Sequence, residues 1–285
     1  MQFEFAGSLS LPDGRYLARS EGEEEGQQVL VTETLGAPPA PGRRRRRPKQ
    51  AEPGAEPAAL PLTRVTAVRA QQPFDSESEA GRWLEETIAT EDSTDAVLDE
   101  GIDLLNRALH AHAAASADPL GAELSAERAV RVRIGHGSGK EVASGNFSAA
   151  HEIEAGTATG SRRRRRDHEL LPQERLAAVL GGRERIDACE TLILRARADL
   201  DAGRLREAAL QLRVAVEAML VELDGALADP GHAEDMSELR ERRRTVGALA
   251  NQALGGELDA ERERELRELT AICERILRRR RVLRG

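Results

Sequence analysis

The sequence predicts an α+β protein: a small antiparallel β and α+β part on the N-terminal side, then an antiparallel α-helical bundle. Three observations carry this. Apolar residues alternate with polar ones in short runs as far as residue 134, the period of half-buried strands. From residue 169 onward they recur at steps of three and four, the period of a helix with one buried face. Two stretches, 37–61 and 156–168, hold Pro, Gly, Ala and arginine runs with nothing periodic to bury, and so divide the chain as linkers. The expected units are therefore a β-meander at 1–36, an α+β domain at 62–155 and a bundle at 169–285.

In the meander, Phe3 and Phe5 alternate with polar residues, and Leu9 and Leu11 lead into the turn signal Pro12-Asp13-Gly14. Tyr16 and Ala18 follow, and after the acidic loop Glu21 to Gly26 a third strand runs from Gln28 to Leu35. Three strands bury little by themselves, so this sheet needs a covering layer from elsewhere in the chain.

In the second unit, Thr63 to Ala70 is rich in β-branched residues and reads as a strand. Asp75 to Glu86 reads as a short helix that turns Trp83 and Leu84 inward. A longer helix is expected from an Asp95 N-cap to Asp118-Pro119, with Val97, Leu98, Ile102, Leu105, Leu109 and His112 on its buried face. Arg128 to Ile134 alternates strictly: Val130, Val132 and Ile134 face one way, Arg131 and Arg133 the other, which gives the strand one wet, basic face.

That strand runs into Gly135-His136-Gly137-Ser138-Gly139-Lys140. A Walker-type phosphate loop needs four residues between its first glycine and the Gly-Lys pair, then a hydroxyl residue. Here Ile134 stands where that glycine should be and Glu141 replaces the hydroxyl residue, while Val142 reads as part of a further short strand. The nucleophile-elbow pattern also fails, because His136 and Lys140 occupy its glycine positions. Two readings stand: an anion site built from successive backbone N–H groups with the lysine and histidine, or a hairpin turn whose glycines supply positive φ.

The bundle opens with a helix that Pro172 suits at its first turn and that ends before Gly181-Gly182. A long helical hairpin follows from Ile186 to Leu227, broken at Asp201-Ala202-Gly203. Ile186, Cys189, Ile193, Ala196 and Leu200 line one leg; Leu205, Ala208, Leu212, Val216, Met219, Leu223 and Leu227 line the other. Asp229-Pro230-Gly231-His232 reads as a loop, and a helix from Asp235 to Leu254 ends at Gly255-Gly256. A last helix after Asp259 buries Leu266, Leu269, Ile272 or Cys273, and Ile276, with Arg278 to Arg281 in its final turn, where positive charge favours the helix dipole.

Charge is segregated. The formal net charge is −8, yet the runs Arg43-Arg44-Arg45-Arg46-Arg47, Arg162-Arg163-Arg164-Arg165-Arg166 and Arg278 to Arg281 hold 14 of the 42 basic residues, which leaves 28 basic against 50 acidic residues elsewhere. The first two runs are candidate contacts for a phosphate backbone; solvated linker charge is the alternative. Lysine occurs only at Lys49 and Lys140, so the preference for arginine reflects composition as much as chemistry.

No apolar run approaches the roughly 18 to 20 residues that span a bilayer, and the first residues carry no basic or apolar leader pattern. A cytoplasmic location away from membranes is the expectation. Cys189 and Cys273 fall on apolar stripes and read as reduced core residues. His110 and His112 point about 200° apart on a helix and cannot share a metal; no metal or other cofactor is expected. All six aromatic residues precede residue 148, so the bundle has no platform on which to stack bases.

Gly203-Arg204-Leu205-Arg206-Glu207-Ala208, continued by Leu212, Ala215 and Glu217, resembles the second helix of a tetratricopeptide repeat over about one repeat length. The two legs, with Ala209, Gln211, Ala215, Val216 and Glu217, also resemble the helical pair of HEPN domains, although the arginine-to-histidine motif of those nucleases has no match within the bundle; Arg163 to His168 has a permitted spacing but lies in the preceding linker. What these resemblances imply is partner binding. The sequence thus favours a non-enzymatic interaction or scaffold protein that docks another protein, or a second copy, through its bundle, on an outer face around Arg204, Glu207, Gln211 and Arg213. The alternatives are a nucleic-acid-associated protein that uses the arginine runs and an anion- or nucleotide-dependent protein that uses the glycine loop.

Overall fold

Phe3 and Phe5 project from one side of the strand β1 (Gln2–Ala6) and Gln2 and Glu4 from the other, and all four are buried. A strand buried on both faces belongs in the middle of a sheet. The computed structural model, which describes residues 1–19, 28–36, 61–70, 73–118, 121–153 and 171–284, places it there. With β2 (Gly14–Ala18), β3 (Gln28–Leu35), β4 (Leu62–Arg69), β5 (Ala129–His136) and β6 (Ala149–Ile153), β1 forms one antiparallel sheet in the order β2-β3-β4-β1-β5-β6. The expected meander at 1–36 is corrected by this order: β1 and β2 do not pair, and the strands before residue 36 share their sheet with those of 62–155. Instead of closing a β1–β2 hairpin, Pro12 and Asp13 tie β2 to β3. The Pro12 carbonyl accepts from the hydroxyls of Tyr16 (2.6 Å) and Thr32 (2.7 Å), and the Asp13 carboxylate accepts from the backbone N–H of Thr34 (3.0 Å) and its hydroxyl (2.8 Å).

The covering layer is α1 (Glu77–Ile88) and α2 (Glu91–Ser116). Ser76 caps α1 by accepting from the Glu79 N–H at 3.2 Å, and the Glu79 carboxylate reaches back to the Asp75 N–H at 2.9 Å. The cap of α2 is Thr90, whose hydroxyl accepts from the Ser93 N–H at 3.2 Å; Asp95, expected as the cap, lies inside the helix. Leu84, Val97, Leu98, Ile102, Leu105 and Leu109 bury against Phe3, Phe5, Leu30, Val65, Val132 and Ile134, while His112, expected in this core, is half-buried. Gly101 sets how closely α2 approaches β1, since a Cβ there would stand 3.0 Å from the Phe3 ring and 3.1 Å from Met1 Sδ.

Strict alternation along β5 fails at one residue. Glu4 pairs with Arg131 but Phe5 pairs with Ala129, so Val130 is the extra residue of a β-bulge. Val130 is therefore 50% exposed, and Ala129 takes the buried position expected of it.

The second unit, Arg163–Gly285, contains α4 (Leu171–Leu180), α5 (Ala188–Asp201), α6 (Leu205–Glu222), α7 (Pro230–Gly255) and α8 (Ala260–Arg284). Gly203, at φ +71°, permits the sharp reversal between α5 and α6. Each of α5 to α8 packs on the next, and α8 returns to α5, which closes a four-helix core around Ile193, Leu200, Leu212, Met219, Leu239, Leu249, Leu266 and Ile276. Ile186 is exposed and precedes α5. Asp229 to His232 is not a loop: Asp229 accepts from the His232 N–H at 2.8 Å as an N-cap, and Pro230 opens α7 in the first turn, where its missing N–H costs nothing.

Arg278 to Arg281 lie within α8, and their explanation goes beyond the helix dipole. Arg280, 7% exposed, pairs with Glu190 (3.3 Å) and Asp187 beside α5, and Arg279 pairs with Asp235 (3.0 Å) and Asp229 (3.5 Å) of the α7 region. Both expected linkers, apart from Pro61, and with them Arg43 to Arg47 and Arg162 to Arg166, lie outside the described residues. No helix among the described residues is long and apolar enough to cross a membrane.

Gly101→Val places two methyl groups where Phe3 and Met1 already stand. Urea denaturation is expected to show a loss of ~1–3 kcal/mol from overpacking, and unchanged stability would mean that α2 does not depend on this close approach.

Candidate functional site

Opposite signs at period two on neighbouring strands build the polar face of the sheet. Direct cross-strand register sets Glu33 of β3, Arg64 of β4, Glu4 of β1 and Arg131 of β5 in one row of alternating charge. Glu4 lies at its centre, only 4% exposed, with Arg64 at 3.1 Å, Arg131 at 3.4 Å and Arg133 at 3.5 Å. Glu33 (3.7 Å from Arg64) and Glu152 (3.2 Å from Arg131) close the two ends. Three guanidinium groups thus face three carboxylates, and the basic face expected of β5 is neutralised by its neighbours. In the next row Gln2 donates to the Thr66 hydroxyl at 3.0 Å and accepts from Arg133, whose guanidinium lies 5.7 Å from the centre of the Phe147 ring.

The glycine motif straddles the end of this sheet. Gly135 and His136 end β5, and Gly139 and Lys140 open a five-residue helix, α3 (Gly139–Ala143), where a strand through Val142 was expected. Val142 and Ala143 are buried, Gly145 reverses the chain at φ +83°, and β6 begins only at Ala149. None of Gly135, Gly137 and Gly139 has a positive φ, which corrects the expected reason for them. Two of the three allow close approach instead. A Cβ on Gly135 would stand 2.8 Å from the Phe147 ring, and one on Gly137 would stand 2.9 Å from the Ser148 nitrogen.

Alternation along β5 puts the buried His136 on the same face as Val132 and Ile134, opposite Arg133. Ser138 makes no side-chain cap and Lys140 is exposed. The six motif residues are therefore adjacent in the chain, but the histidine and the arginines lie on different faces. Sequence reasoning overlooked Glu4 and Arg64; the signal was there in Gln2 and Glu4 alternating against Arg131 and Arg133.

Other candidate groups are partnered within the fold. Arg204 pairs with Asp199 at 2.8 Å and Gln211 is half-buried, so of the expected outer-face set Glu207 and Arg213 are exposed, Arg213 while donating to Asn251 at 3.0 Å. What the outer side of α6 presents instead is apolar. Leu210, Val214, Ala218 and Val221 recur at steps of four, four and three, on the side opposite the buried Leu212, Val216, Met219 and Leu223, with Val214 55% and Val221 80% exposed.

Burial, with the Glu222 carboxylate beside it, pushes the Cys189 thiol up to about 12, and burial does the same to Cys273. No group of three His, Cys, Asp or Glu that could hold a metal occurs among the described residues. No known protein family, curated protein or solved structure matches the chain.

Two outcomes are expected. Glu4→Gln leaves three guanidinium groups around a neutral amide and should cost ~3–5 kcal/mol in a urea titration; a loss below ~1 kcal/mol would mean the row holds without its central charge. Both thiols should resist iodoacetamide at pH 8 in the folded protein and react once it is unfolded. Because their folded pKa values are raised, the stability they contribute is complete below the ordinary thiol value of about 9 and is lost as pH rises from there towards 12. Alkylation of native protein at the rate of a free thiol would contradict this burial.

Proposed function

We propose that the protein is a non-enzymatic interaction module of the cytoplasm, and that its bundle docks an amphipathic helix of a partner protein along the outer side of α6. One observation carries the reading: opposite its buried face α6 exposes Val214 and Val221, in line with the half-buried Leu210 and Ala218. α6 already packs on α5 and α7 through its buried face, so the exposed valines opposite that face are apolar surface that the bundle does not use.

The outward stripe runs ~16 Å along the axis, about three turns, and is one helix wide. Its flanks are occupied within the bundle, where Arg213 donates to Asn251 and Glu217 holds Arg243 at 2.7 Å, so they form a polar rim that needs no partner. Charged groups buried elsewhere in this unit, Glu190, Asp235 and Arg280, pair with one another or with neighbouring side chains. That pattern fits a structural role. The nucleic-acid reading finds no support in the third arginine run, because Arg279 and Arg280 hold helices together.

The test is quantitative affinity purification of the full chain from its own cells, wild type beside Val214→Glu/Val221→Glu. At least one protein is expected to be recovered with the wild type and lost with the variant, while circular dichroism and gel filtration stay unchanged. Identical recovery from the two chains would overturn the assignment.

A further inference from the structure

The six-stranded sheet ends at β6, which pairs with β5 alone. Among the described residues, alternate N–H and C=O groups of β6 therefore point away from the sheet with no strand to receive them, and Ala149 to Glu152 are exposed. Beside this edge, on the side of the sheet that α1 and α2 cover, lies a groove of about 280 Å³ lined by Ile88, Ala89, Glu91, Asp95, His151 and Ile153, among others. The position of a seventh strand is thus already equipped. Every second side chain of such a strand would enter the groove beneath the α1–α2 turn.

The walls state what that side chain is. Ile88, Ala89 and Ile153 offer an apolar path, and Glu91 and Asp95, one helical turn apart on α2, offer two carboxylates. Neither carboxylate has a basic partner among the described residues. An aliphatic stem that ends in a cation fits both parts. We propose that β6 is a docking edge for an extended basic segment of a partner protein, which adds as a seventh strand and sets a lysine or arginine between Glu91 and Asp95.

A second copy of this chain fits less well. Its own β6 would offer the groove Ala149, His151 and Ile153, none of them permanently charged, and would bring a second acidic groove alongside the first. This edge belongs to a different unit from the α6 stripe and does not depend on it.

The probe is a fluorescently labelled, acetylated heptapeptide of alternating threonine and lysine, titrated into the full chain by anisotropy. Binding is expected, with hydrogen-exchange protection at Ala149–Ile153. It should weaken at least about tenfold when the peptide lysines become glutamates, when its threonine amides are N-methylated, and in Glu91→Lys/Asp95→Lys. Asp103→Lys makes the same kind of charge change two turns beyond Asp95 and should alter affinity less than about twofold. The proposal is overturned by no binding at concentrations on the order of 1 mM, by protection elsewhere, by equal loss in Asp103→Lys, or by retained affinity in a Glu91→Lys/Asp95→Lys chain whose circular dichroism is native. A monomer–dimer equilibrium abolished by Glu91→Lys/Asp95→Lys would overturn it in favour of a second copy.

Discussion

The burial of Glu4 in the middle of a sheet is the constraint on which the N-terminal unit depends. A carboxylate removed from water costs several kcal/mol unless opposite charge and hydrogen bonds replace its hydration. Here the replacement comes from two directions, Arg64 on one neighbouring strand and Arg131 and Arg133 on the other. The same strand carries Phe3 and Phe5 into the core on its opposite face. A slip of one residue would turn the phenyl rings towards the arginines and Glu4 towards leucines, so charge and burial reinforce a single register. The bulge at Val130 belongs to this arrangement, because it lets Arg131 meet Glu4 while Ala129 still packs inward.

The bundle uses the same device in another geometry. Its core is aliphatic and lacks aromatic rings, so many side-chain combinations of similar volume would fill it. Glu190, buried in α5, is met by Arg175 of α4 at 2.7 Å and by Arg280 of α8 at 3.3 Å. Exchange of α8 with another helix would take away one of the two guanidinium groups that hold that carboxylate. The pair thus specifies which helix closes the bundle, whereas the apolar seams supply most of the driving force.

Local features were legible in the sequence wherever the physics is local. The seams of α5 and α6 and the reversal at Gly203 follow from helical period and from the freedom of glycine at positive φ, and β3 and β4 follow from their β-branched alternation. Strand order was not legible, because β1 meets Arg64 and Arg131, sixty or more residues away. Val130 defeated the alternation rule because a bulge is a property of two strands together. Asp229-Pro230 reads equally as a turn and as an N-cap with proline in the first turn, and only the packing of α7 decides between them. At the candidate surfaces, the outward stripe of α6 was spelled out at Leu210, Val214 and Val221 but hidden among the charges between them. The groove beside β6 joins segments sixty residues apart and has no linear signature.

The central place of β1 has a consequence for how this protein is made. During synthesis Phe3 and Phe5 leave the ribosome long before the strands that flank them, and Arg131 lies 127 residues beyond Glu4. At translation rates of roughly 5–20 residues per second, that interval is on the order of ten seconds. β4 is made about halfway through that interval, so β1, buried on both faces in the finished sheet, waits first without either neighbour and then with β4 alone. Its entry between β4 and β5 must also await a loop closure of high contact order, which makes completion of the sheet, not formation of the helices, the slow step of folding.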